Sequence, residues 1–236
     1  MKTIGIIGGT SWESTAIYYR LLNEGVKARL GGHHSAKCVI FSLEFHEIAA
    51  LQKADDWDGL NAIMADAAQK LERAGAECIL IAANTMHLCA PAVQAAVSIP
   101  LLHMIDATTD AIHQAGLQRV GLIGTRFTME KPFWAERAAQ NGVEVIVPHK
   151  EQRDLIHQVI YDELVMGVVR EESREAYLAI MKDLIERGAQ GIVLGCTEVC
   201  MLIEPKHSHV PLFDTSGLHV DMALSWALEE TKEGNY

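Results

Sequence analysis

Short apolar runs that end in glycine or a polar step alternate along the chain with longer stretches of helical spacing. Thr3-Ile4-Gly5-Ile6-Ile7 reads as a buried parallel strand, and Gly8-Gly9-Thr10-Ser11 as a tight turn after it. The next helix is expected to start near Ser14 or Thr15, run toward Leu30 and stop at Gly31-Gly32. Lys37-Cys38-Val39-Ile40-Phe41 is a second strand. Leu60, Ile63, Met64, Ala67 and Leu71 give residues 57–74 the spacing of a helix, which Gly75 ends. Glu77-Cys78-Ile79-Leu80-Ile81 is a third strand. Pro91-Ala92-Val93 begins or continues a short helical segment, and Ile99-Pro100-Leu101-Leu102-His103 leads into another strand.

The pattern then starts again. Arg119-Val120-Gly121-Leu122-Ile123-Gly124-Thr125 echoes the first strand and its turn. A helix is expected from Phe133-Trp134 to Gly142, then a strand at Val143-Glu144-Val145-Ile146-Val147, closed by Pro148. A long helical region follows over about 152–188, broken around Gly167. Gly191-Ile192-Val193-Leu194 answers the third strand, and Val210-Pro211-Leu212-Phe213-Asp214 answers the Pro100 region. Gly5 to Gly121 is 116 positions and Ala83 to Cys196 is 113, a near-constant offset. The order of elements predicts an α/β fold of two pseudo-symmetric parallel-sheet lobes, with the active site in the cleft between them. The expected division is 1–100, 101–216, and an amphipathic C-terminal helix over 217–236 that returns to the first lobe. The alternative is one continuous sheet with coincidental similarity.

Composition narrows the function classes. The chain has 236 residues, is 49% hydrophobic and carries a net charge of -11. Such acidity argues against nucleic acid as a partner. No apolar stretch approaches the length of a membrane span, and Met1-Lys2-Thr3 runs straight into a strand pattern without a signal-peptide core. Five cysteines, none in CxxC spacing, suit a reducing compartment, so a cytoplasmic location and no metal are expected. Gly5, Gly8 and Gly9 do not complete a dinucleotide-binding GxGxxG.

The chemistry concentrates at two strand ends, Ile81-Ala82-Ala83-Asn84-Thr85-Met86-His87 and Val193-Leu194-Gly195-Cys196-Thr197-Glu198. A thiol after an apolar strand, at the expected start of a helix, can be a nucleophile or base, and a helix dipole would favour its thiolate. Thr10, Ser11, Asn84, Thr85, Thr125 and Thr197 are the candidate donors for a substrate carboxylate. For each the bland reading is that the side chain satisfies its own turn. His87 and Glu198 are supporting candidates, and Lys53 and Arg170 are weaker anion clamps.

The chain resembles the aspartate/glutamate racemase family, and most of all its bacterial broad-specificity amino-acid racemase branch. The resemblance rests on Gly8-Gly9-Thr10-Ser11-Trp12-Glu13-Ser14-Thr15 with Tyr18-Tyr19 and Asn23, on Ser42-Leu43-Glu44-Phe45, on Asn84-Thr85-Met86-His87 and Gly124-Thr125, and on Gly195-Cys196-Thr197-Glu198 and Pro211-Leu212-Phe213-Asp214-Thr215. It implies a homodimer that racemises an acidic amino acid without pyridoxal phosphate or metal, using one cysteine on each face of the α-carbon. Cys196 matches the second-lobe cysteine. The first-lobe cysteine falls at Ala83, a methyl that can neither give nor accept a proton.

Three accounts of Ala83 stay open. It replaces a natural acid/base residue; a water or another group acts in its stead; or the chemistry needs only one proton donor. The last resembles the aryl-malonate decarboxylases of the same superfamily, with a cysteine in the second lobe and a small residue in the first. A noncatalytic small-molecule binding protein of the same fold is the further alternative.

Overall fold

The computed structural model describes residues 1–229, so residues 230–236 of the expected C-terminal helix lie outside the described residues. The chain divides into two compact units. One comprises Met1–His103 together with the described residues from His219 to Glu229, the other Met104–Leu218.

In the first unit β1 (Ile4–Gly8), α1 (Trp12–Leu30), β2 (Cys38–Ser42), α2 (Phe45–Lys53), α3 (Trp57–Arg73) and β3 (Cys78–Ile81) follow one another. A 3₁₀ turn, Thr85–Cys89, then leads into α4 (Ala90–Ala96). The sheet is parallel in the order β2-β1-β3, with β1 fully buried at its centre. Leu60, Met64, Ala67, Ala68 and Leu71 form the buried stripe of α3, and they pack with Ile7, Ile79 and Ile81. The strand expected over 99–103 shrinks to one parallel bridge between Ile79 and Leu101. Its rungs run from Ile79 N to Pro100 O and from Leu102 N to Ile79 O, after which the chain turns into a helix at Met104.

The second unit continues with α5 (Met104–Gln114), β4 (Arg119–Gly124), α6 (Arg126–Glu130), α7 (Phe133–Gln140), β5 (Glu144–Ile146), α8 (Lys150–Asp162), α9 (Glu171–Glu186), β6 (Ile192–Gly195), α10 (Val199–Leu202), β7 (Leu212–Asp214) and α11 (Thr215–Leu228). Its parallel sheet has the order β5-β4-β6-β7. The break expected around Gly167 is real: a 3₁₀ turn ends there with φ 72°, a left-handed conformation that glycine adopts without the clash of a Cβ. Helix α11 begins in this unit, and its residues from His219 onward belong to the first.

The internal echo has a packing cause. A Cβ on Gly5 would come within 2.8 Å of Ala76 Cβ and 2.9 Å of Cys78 O. A Cβ on Gly121 would meet Ile192 at 2.8 Å and Leu184 at 2.9 Å. Each glycine lies in the central part of its sheet, where a neighbour presses on the backbone. The same need for close packing therefore writes the same letter twice.

Candidate functional site

In the first unit the carboxyl ends of β1, β2 and β3 carry the relevant side chains. Parallel α/β sheets present ligands to this end of their strands. Helix α1 begins earlier than the spacing suggests, at Trp12 with Ser11 as its N-cap. Ser11 Oγ accepts from Ser14 N at 3.1 Å and donates to Glu13 at 3.1 Å. Ser14 and Thr15 fall in the first turn of α1, near the start as expected. Those two hydroxyls are buried and tie the helix to the strand ends: Ser14 Oγ donates to Ala82 O at 2.8 Å, and Thr15 Oγ1 accepts from Gly9 N at 2.8 Å and donates to Ser11 O at 3.0 Å. Gly9 has φ 79°, and a Cβ there would overlap the Leu43 backbone, so only glycine turns the chain here. Thr10 follows, 8% exposed, and its Oγ1 has no hydrogen-bond partner among the described residues.

The turn after β3 is fixed from two sides. His87 donates from Nδ1 to Ala83 O at 2.9 Å, because a carbonyl can only accept. With Ser14 on Ala82 O, both carbonyls flanking the Ala83 position are held. Ala83 is half-buried and Asn84 buried. His87 stacks on His103, with ring centroids 4.6 Å apart, and lies edge-on to His219 at 5.7 Å. His219 donates from Nε2 to Leu102 O at 2.7 Å and pairs through Nδ1 with the Tyr18 hydroxyl at 2.9 Å. Cys89 is wholly buried, and that burial pushes its thiol up to about 12.

Sequence reasoning missed Gln52. It is buried in the last turn of α2 and donates from its amide to Met86 Sδ at 3.2 Å, a weak acceptor. The overlooked signal is Glu44, which caps α2 by accepting from His46 N and Glu47 N. Lys53 lies one residue on, in the same final turn.

In the second unit Cys196 stands directly after β6, 9% exposed. Its thiol donates to Glu198 Oε2 at 2.9 Å. Burial raises the thiol well above its ordinary value, and the Glu198 carboxylate raises it further by charge and by accepting its hydrogen. The expectation that a helix dipole favours a thiolate is corrected. Helix α10 starts three residues later and has four residues, too little to outweigh burial and a carboxylate at 2.9 Å. Thr197 Oγ1 pairs with Ser216 Oγ at 3.2 Å, and Thr215 donates to Leu194 O at 3.0 Å. Thr125 caps α6, accepting from Thr128 N at 3.3 Å. Tyr161, on α8, has its hydroxyl pushed up by burial first and then by Cys196 and Glu198, so it lies within electrostatic reach of the pair. Arg170 sits at the start of α9, 3.8 Å from Glu163.

Among the described residues no group of three or more His, Cys, Asp or Glu could hold a metal ion, and no helix is long and apolar enough to cross a membrane. The model of the Asp/Glu/hydantoin racemase family matches residues 7–223. The fold is similar to a crystal structure assigned to an Asp/Glu racemase from Yersinia pestis, 46% identical, covering 97% of this chain and 100% of that one with a TM-score of 0.93. It is also similar to an aspartate racemase homologue from Pyrococcus horikoshii, 35% identical, covering 96% and 99% with a TM-score of 0.86. In sequence the chain is 27% identical over 164 residues to the broad-specificity amino-acid racemase RacX of Bacillus subtilis, 68% of this chain and 69% of that protein. These relationships support an isomerase-type enzymatic function with cofactor-independent chemistry. From the matched span and these likenesses, the chain belongs to the Asp/Glu/hydantoin racemase family.

Proposed function

We propose that the protein moves the α-proton of an acidic amino acid, aspartate or glutamate, through Cys196. The observation that carries this reading is the hydrogen bond from the Cys196 thiol to Glu198. A protonated thiol beside a carboxylate can work in both directions. Glu198 accepts the thiol proton as the sulfur takes the substrate proton, and returns it when the sulfur donates. The carbanion that forms needs donors aimed at its carboxylate. Asn84, Thr85 and Thr197, with backbone N–H groups of the turn at residues 8–10, fill that role in this reading. Ser11 and Thr125 cap helices α1 and α6.

The first unit offers the Ala83 methyl where the family pattern has a second acid/base group. A methyl cannot deliver a proton, so exchange through Cys196 runs faster than inversion, and inversion depends on water. A homodimer is part of the proposal, on family grounds alone; light scattering of the purified chain checks it.

The decisive experiment incubates enantiomerically pure aspartate and glutamate in deuterated water and follows products by chiral chromatography and mass spectrometry. The expected result is deuterium at the α-carbon with configuration largely retained. Carbon dioxide released from an aryl-malonate, without amino-acid exchange, replaces this reading with decarboxylation. Amino-acid binding without exchange replaces it with a noncatalytic binding protein.

A further inference from the structure

Four hydroxyls crowd the turn between β1 and α1, and three are engaged by the fold. Ser11 caps the helix, Ser14 holds Ala82 O, and Thr15 bridges Gly9 N and Ser11 O. Thr10 is the exception. Its hydroxyl is buried, 8% exposed, and has no hydrogen-bond partner among the described residues. An unpaired buried hydroxyl destabilises a fold, and removing it commonly helps stability. Gly9, with its φ of 79°, turns the chain against the Leu43 backbone, and Thr10 follows it beyond the end of the central strand. The turn thus carries one buried hydroxyl that makes no hydrogen bond to the fold among the described residues.

We propose that Thr10 is a specificity-determining residue whose hydroxyl hydrogen-bonds a polar group on the substrate side chain, selecting acidic over apolar amino acids. This rests on the reading of the site as an amino-acid site. The selectivity comes from an asymmetry. A ligand with a hydrogen-bonding side chain satisfies the hydroxyl, whereas an apolar ligand seals it away from water without a partner. Thr10 acts on discrimination and takes no part in proton transfer.

The test is calorimetry of the full chain with L-aspartate and L-2-aminobutyrate, together with thermal unfolding. The proteins are the native one, Thr10→Val, which keeps the shape and removes the hydroxyl, and Thr10→Ser, which keeps the hydroxyl. The native protein is expected to prefer aspartate. Thr10→Val should lower that preference about ten-fold or more while melting no lower than the native protein, and Thr10→Ser should keep the preference within about three-fold. Native selectivity that survives unchanged in Thr10→Val overturns the inference and leaves the amino-acid reading standing. A native protein that binds neither ligand and exchanges no α-proton overturns the amino-acid reading, and this inference with it. If Thr10→Val melts well below the native protein, the hydroxyl serves the fold, which also overturns it.

Discussion

The ends of β3 and β6 follow one plan and carry different chemistry. Each closes a buried parallel strand, and each is followed by a short turn of helix. After β3, side chains hold the backbone: Ser14 on Ala82 O and His87 on Ala83 O, with His103 and His219 packed against His87. After β6 a side chain holds a side chain, because the Cys196 thiol bonds Glu198. One end is a rigid mount with an inert methyl on it. The other carries a buried thiol bonded to a carboxylate. The difference teaches that two strand ends of like position can be held by different bonds and so present different chemistry.

The largest expected effect breaks the comparison on the reactive side. Cys196→Ala should reduce α-proton exchange at least about 10³-fold, the scale of losing a positioned acid/base group. Circular dichroism should show the fold intact, because the change removes one sulfur beside a turn. Exchange within about two-fold of the native rate would remove Cys196 from the mechanism. The next test equalises the two ends. Ala83→Cys adds a thiol on a backbone already fixed by two hydrogen bonds. Inversion of pure aspartate should rise about 10²-fold over the native protein. An unchanged inversion rate would mean that the first unit lacks more than a thiol.

Much of this layout is legible in the letters, and the parts that are not have physical reasons. Isoleucine- and valine-rich runs ending in glycine mark β1, β4 and β6 because buried parallel strands need apolar side chains on both faces. Helix α5 is masked in the sequence because Thr108 and Thr109 blur its stripe; inside the helix their hydroxyls bond back to Met104 O and Asp106 O. Ser11 serves as a cap where a substrate donor is expected: Ser11, Ser14 and Thr15 all suit a helix start, and only backbone angles choose between them. At the site, Cys196 is visible in the sequence but its protonation is not. That depends on how deeply the sulfur is buried and on which way Glu198 turns. Thr10 is a candidate donor in the sequence, but its lack of a hydrogen-bond partner among the described residues shows only in the structure, beside three engaged hydroxyls.

The third test sharpens the reactive side by pH. A thiol raised by burial and by a carboxylate stays protonated as pH climbs through the ordinary thiol value of 9.0. Alkylation of Cys196, read by peptide mass spectrometry, should therefore rise only above that pH in the native protein. Glu198→Gln removes the negative charge, so the profile should move to lower pH, with reaction at pH 8 about ten-fold faster. Exchange catalysis should fall in the same variant, because the acceptor for the thiol proton is gone. A variant whose alkylation profile overlays the native one would show that Glu198 does not control the thiol.

The smallest expected effect belongs to the mount. Tyr18 and His219 are fully buried and joined at 2.9 Å, with their rings edge to face at 5.7 Å. Tyr18→Phe keeps the ring and deletes that hydrogen bond, which should cost about 1 kcal/mol and lower the melting temperature by about 2–4 °C. Hydrogen exchange should place the loss in the first unit, around α1 and α11. The alkylation profile of Cys196 should stay where it is, because the phenol holds a scaffold and carries no proton for the thiol. A shift of that profile by one pH unit, with little change in melting, would reverse the assignment and make the Tyr18–His219 pair part of the proton chemistry.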